Sequence, residues 1–133
     1  MINMIPARMY SDLLGKPFAE DGRGPDAYDC VGLAMEVARR RGFKLPVYVS
    51  DPAELHRQLA AGGVLSEARR LDIPEAGCIA LTRMLGDDRH IVTMVDSYRL
   101  LHTSRQTGRA VVERILEPIW QRRVLGFYRL EAL

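Results

Sequence analysis

The sequence predicts an α+β fold in which N-terminal helices pack on a central antiparallel β-sheet. Three observations carry that reading. Apolar residues in the first half recur at helical spacing, and from about residue 64 the period changes to two. The gaps between the alternating segments are short, which favours hairpins and meanders. Helices first and strands afterwards are the pattern of an α+β domain. The chain has 133 residues, 47% hydrophobic and 27% charged. A domain of that length buries roughly two-thirds of the surface its unfolded chain exposes, enough for a core without metal or disulfide staples. Residues 1–133 therefore read as a single domain, since the loop at 84–89 is too short to be a linker.

Residues 7–14 form a short helix candidate, stopped by Gly15 and Pro17. The segment 15–28, GKPFAEDGRGPDAY, holds three glycines and two prolines and reads as a loop. The next helix has the clearest pattern. Cys30, Leu33, Ala34 and Val37 lie at i, i+3, i+4 and i+7, on one helix face. Asp29 stands where an N-cap belongs, and Arg39, Arg40 and Arg41 precede Gly42 at the far end. Gly32 in the first turn costs helix stability, which points to a steric reason for its presence. A third helix is expected from Asp51-Pro52, with Glu54 three residues after the cap, to about Gly62. Strands are expected at 77–83, 90–96, 98–104, 109–115 and 124–130, with a tight hairpin at Asp96-Ser97. The segment EPIWQR, 117–122, reads as a helical turn interrupting the sheet.

Several function classes are disfavoured by composition. Lys plus Arg is 19 and Asp plus Glu is 17, so the net charge of +2 argues against nucleic-acid binding driven by bulk charge. The pairs among Arg39–Arg41, Arg69-Arg70 and Arg122-Arg123 read as solvated surface rather than a polyanion site. No apolar run approaches the ~18 residues a membrane span needs, so no membrane insertion is expected. The first fifteen residues lack the basic start and apolar stretch of a secretory signal, so synthesis in the cytoplasm without a signal peptide is the expectation. Cys30 and Cys78 cannot make a disulfide framework, and each needs its own explanation.

Cys30 falls in the first turn of a helix, where unpaired amides and the helix dipole favour a thiolate. A thiol of pKa ~8.5 can drop to about 3.5–7.5 in such a place. A buried free cysteine is equally a common core residue. A thiolate nucleophile needs a base, and a third group to orient that base. The chain has three histidines. His56 sits mid-helix among polar neighbours and reads as solvated surface. His90 opens a strand after an Asp-rich loop, and His102 lies twelve residues on, in the following strand. Antiparallel neighbours can bring both rings to one face. Zinc would be the competing use of Cys and His, but there is no C-x-x-C and no H-x₃₋₅-H, so no metal is expected. Cys78, in an alternating strand, reads as packed and inert. Trp120 and Tyr128 read as core or groove wall, because basic-aromatic interleaving is absent.

The segment GKPFAEDGRGPDAYDCVGL, followed by PEAGCIAL, RHIVTMVD and RLLHTS, resembles the NlpC-type family of papain-like cell-wall peptidases. The match covers nearly the whole chain in the correct order. GRGPDAYDC, RRRGFKLP and LGFYRLE are similar to the branch found in phage and prophage tails. The resemblance implies a papain-like, cysteine-proteinase fold and hydrolysis of amide bonds in peptidoglycan stem peptides through a thioester, with no cofactor. It implies Cys30 as nucleophile, His90 as base and His102 as the orienting residue. It also implies phage tail proteins as partners and a place in the virion tail. From their flanking positions, Tyr28 and Asp29 are expected to bind polar groups of the peptide. Three positions depart from the family pattern and bear on substrate choice. Val31 stands where many members have Ser, Phe18 where Tyr is frequent, and Thr93 where Gly is frequent. Two other readings keep the same fold: a catalytically silent tail-assembly protein, and a thiol acyltransferase.

Overall fold

The computed structural model describes residues 4–45, 57, 68–84 and 89–132. The helix expected over 51–62 and the side chain of His56 lie outside the described residues, Arg57 excepted. The expected helix over 7–14 is instead two 3₁₀ turns, Ala7–Met9 and Ser11–Leu13. Eight residues cannot repay helix nucleation alone. Tyr10, at φ −147° and ψ −7°, breaks the run, and buried Leu13 pins it to the core.

The glycine-rich loop has no regular structure but is tied down. Gly15 N–H donates to Ala110 O at 2.9 Å, Phe18 N–H to Gly108 O at 3.0 Å, and Asp29 N–H to Gly22 O at 3.0 Å. It leads into α1, Cys30–Arg40, whose cap is the expected one: the Asp29 carboxylate accepts from Gly32 N–H at 2.7 Å. The steric reason for Gly32 is also present. A Cβ there would lie 2.1 Å from Gly22 O, so the loop's backbone packs directly on the helix. At the far end Arg39 and Arg40 both pair with Glu36, and Arg40 also holds Asp12 at 2.6 Å.

The strands are β1 (Phe43–Lys44), β2 (Ala68–Leu71), β3 (Ile79–Arg83), β4 (Arg89–Met94), β5 (Arg99–His102), β6 (Val111–Arg114) and β7 (Val124–Ala132). They form one antiparallel sheet in the order β1-β7-β3-β4-β5-β6, with β2 also paired to β7. β1 and β2 escape the sequence reading because one is two residues long and the other, Ala-Arg-Arg-Leu, does not alternate. The turn at Asp96-Ser97 closes as expected, with the Asp96 carboxylate accepting from Tyr98 and Arg99 N–H at 2.8 Å each. The helical turn is α2, Pro118–Arg123, with proline at its start, where a missing N–H costs nothing.

The sheet is covered on both faces. Cys30, Val31, Ala34 and Ala38 of α1 pack on Ile79, Leu81, Ile91, Tyr128 and Leu130. Cys78, Ala80, Val92, Met94 and Leu100 face the other way, onto Ile115 and Trp120. The 3₁₀ turns, Tyr28, Leu33 and Leu101 make a third cluster at one side. The period-two alternation of β3 and β4 is thus filled by two apolar layers rather than one.

Candidate active site

The start of α1 delivers Cys30 to β4. The thiol is buried, and it rests against the backbone amide of Ile91, the residue after His90. Amides of Val31 and of Cys30 itself also face it. These three N–H groups favour a thiolate, as expected of a helix start. Burial outweighs them, with the Asp29 carboxylate adding to its effect, and the thiol is pushed up to about 11. The expectation of a thiolate ready-made by the helix is therefore corrected. Helix position is legible in sequence, but desolvation depends on what packs around the sulfur.

The two histidines meet on one face, as their spacing allows. His90 Nε2 and His102 Nδ1 are 3.0 Å apart, with ring planes at 84°. His90 is held from behind by Thr82, whose hydroxyl donates to His90 O at 3.1 Å. Both imidazoles are covered by Trp120, which stacks on His90 at 6.5 Å and meets His102 edge-on at 4.9 Å. The second ring nitrogen of His102, Nε2, contacts the Glu113 carboxylate. Burial lowers the pKa of His102, Glu113 opposes that shift, and Arg123 adds to it. The net lowering favours a neutral imidazole.

The residues expected to contact substrate have other duties in this structure. The Asp29 carboxylate caps α1 and pairs with Arg23 at 2.6 Å. Tyr28 is buried, and its ring fills the space a side chain at Gly24 would need. Val31 packs in the core against β4. Thr93 is buried, its hydroxyl making no hydrogen bond among the described residues. Of the five, Phe18 alone keeps appreciable exposed surface. Cys78 packs inside the sheet, and burial pushes its thiol to about 12.

Sequence reasoning missed Glu113, which borders His102, while Trp120, expected as core or groove wall, is buried and covers both rings. A cavity of about 210 Å³ is lined by His102, Glu113, Trp120 and Arg123 among others, and by neither Cys30 nor His90. Among the described residues no group of three or more His, Cys, Asp or Glu could hold a metal ion, and no helix is long and apolar enough to cross a membrane. The arrangement suits thiol chemistry: a sulfur at a helix start, an imidazole on the adjoining strand, and a second imidazole behind it.

The family model for the NlpC/P60 family matches residues 15–129. No curated protein matches the sequence. Among solved structures, the fold is similar to a lipoprotein-like NLP/P60 family protein from Staphylococcus aureus, at TM-score 0.71 and 16% identity. That likeness covers 95% of this chain and 40% of the other. It is also similar to an NlpC/P60 family protein from Bacillus cereus, at TM-score 0.68 and 17% identity, covering 96% and 41%. The NlpC/p60 domain of the peptidoglycan hydrolase SagA matches at TM-score 0.64 and 14% identity, covering 93% and 95%. The chain thus spans about two-fifths of the first two proteins and nearly all of the third domain.

Proposed function

The chain belongs to the NlpC/P60 family, and we propose that it is a cysteine peptidase or amidase acting on the stem peptides of peptidoglycan. The observation that carries this reading is the contact of the helix-start cysteine with β4 next to the paired histidines. The Cys30 thiol lies at the Ile91 amide, and the preceding residue, His90, is backed by His102 at 3.0 Å.

Burial keeps the thiol protonated, so the nucleophile forms by proton transfer as it attacks. His90 Nδ1 takes the Cys30 proton while the sulfur bonds to the carbonyl carbon of the scissile amide. The Cys30 backbone N–H, in the first turn, helps hold the developing oxyanion. The tetrahedral intermediate collapses, the C–N bond breaks, and the imidazolium gives its proton to the leaving amine. A thioester remains on Cys30. Water, deprotonated by His90, attacks it and releases a carboxylic acid, restoring the thiol. His102 orients the His90 ring, and Trp120 shields the pair from solvent.

The finer assignment is a component of a phage or prophage tail that opens the wall during DNA entry. It rests on the resemblance of GRGPDAYDC, RRRGFKLP and LGFYRLE to that branch. Phe18, half-buried in the glycine-rich loop, is the proposed wall of the substrate cleft.

Incubation of purified peptidoglycan with the folded protein, followed by mass spectrometry of the muropeptides, tests this. New fragments ending in a free carboxyl at a stem-peptide bond are expected. Fragments joined to an added amine instead of water would make the protein an acyltransferase. An unchanged digest from folded protein would overturn the reading and leave a silent tail component.

A further inference from the structure

Behind the two histidines stands a third polar group that the proposed mechanism does not use. Glu113 lies on β6, where it faces Leu100 of β5, and its carboxylate contacts His102 Nε2. Its other oxygen lies 3.5 Å from the indole Nε1 of Trp120. Its side chain is 39% exposed while that of His102 is 1% exposed, so the carboxylate joins a sealed imidazole to the open cavity.

We infer that Glu113 is a positioning residue that fixes the tautomers of both histidines. The inference rests on the peptidase reading for its consequence in catalysis, but not for its structural content. A carboxylate accepts and does not donate, so the ring nitrogen facing it, His102 Nε2, carries the hydrogen. A buried neutral imidazole has one N–H only, which leaves His102 Nδ1 as an acceptor. The atom 3.0 Å away, His90 Nε2, must then donate. His90 consequently holds its N–H at Nε2 and its basic lone pair at Nδ1, the form able to take a thiol proton. Without the carboxylate, His102 is free to carry its hydrogen at Nδ1. His90 Nε2 must then accept, and the hydrogen moves to His90 Nδ1, the wrong nitrogen for a base. Outer partners of this kind choose which ring nitrogen does the chemistry.

The test reads the tautomers directly, by ¹⁵N NMR of the histidine rings in the folded protein, with no substrate present. Glu113→Val is the variant of choice, because Glu113 lies on the outermost strand of the sheet order and valine suits a strand. Glu113→Ala serves if valine disturbs folding. In the wild type both His90 and His102 should show Nε2–H. In Glu113→Val the His102 ring should shift towards Nδ1–H, and His90 with it. Glu113→Gln, whose amide oxygen can accept the same hydrogen, should keep the wild-type pattern. On an active substrate, Glu113→Val should lower kcat on the order of 10–100-fold with KM little changed, and Gln should restore most of it. Wild-type tautomers in folded Glu113→Val or Glu113→Ala would overturn the inference. A tautomer shift in a protein that leaves peptidoglycan uncut would sustain it while removing the peptidase reading.

Discussion

Cys30 and Cys78 are both free, both buried, and both pushed up by desolvation, to about 11 and about 12. Acidity alone does not separate them. What separates them is the company each keeps. Cys30 stands at a helix start against three backbone amides, beside the strand that carries His90. Cys78 packs among Ala80, Val92, Met94 and Trp120, away from any helix start, with the Glu75 backbone amide facing its thiol. On the proposed reading, the contrast teaches that the site makes its nucleophile by supplying a base at the right place, not by storing a thiolate.

Exchanging the two sulfurs gives the largest expected difference. Cys30→Ala should remove turnover of peptidoglycan, with a loss on the order of 10⁶ if it behaves like other covalent nucleophiles. Cys78→Ala should leave turnover close to wild type and cost about 1 kcal/mol in denaturant unfolding, for a small void in a packed layer. A severe activity loss from folded Cys78→Ala would erase the contrast.

The next effect lies on the histidines. His90→Ala should lower kcat on the order of 10³, within the ~10²–10⁴ range of general-base catalysis. His102→Gln offers an acceptor to His90 and should retain measurable activity, whereas His102→Ala should lose more. Equal losses in the Gln and Ala variants would show that His102 does more than orient the ring.

A smaller effect is expected on stability in alkali. Both thiols rise from an ordinary value of 9.0. The unfolded chain therefore releases these protons first as pH rises. Stability from each thiol is fully present below about 9.0 and is lost as pH climbs towards 11 and 12. The loss should be about 3 kcal/mol for Cys30 and about 4 kcal/mol for Cys78. Cys78→Ala should make the decline of unfolding free energy over that window shallower. An unchanged slope would mean that burial is not what holds Cys78 protonated.

Much of this was legible in the sequence, for physical reasons that differ by residue. Asp29 capping α1 and Gly32 against the loop follow from local sequence, and the His90–His102 spacing permits their pairing once β4 and β5 lie side by side. Strands β3 to β7 alternate and were expected within a few residues of where they lie. β1 and β2 were not, because two residues and an Ala-Arg-Arg-Leu run carry no period. The helix over 7–14 gave way to 3₁₀ turns because local propensity is weak in so short a segment. Glu113 looks like any exposed strand glutamate until β5–β6 register and Trp120 place it at His102. The acidity of Cys30 is not legible in sequence, because a helix start is written locally while burial is not.

Alkylation of the folded protein by iodoacetamide, with peptide mapping at a series of pH values, tests the contrast between the cysteines most directly. Cys30 should be modified first, at a rate that keeps rising from neutral pH towards about 11 and falls in His90→Ala. Cys78 should react only once the protein is unfolded. Equal rates for the two cysteines, or a Cys30–Cys78 disulfide in the active protein, would contradict the account.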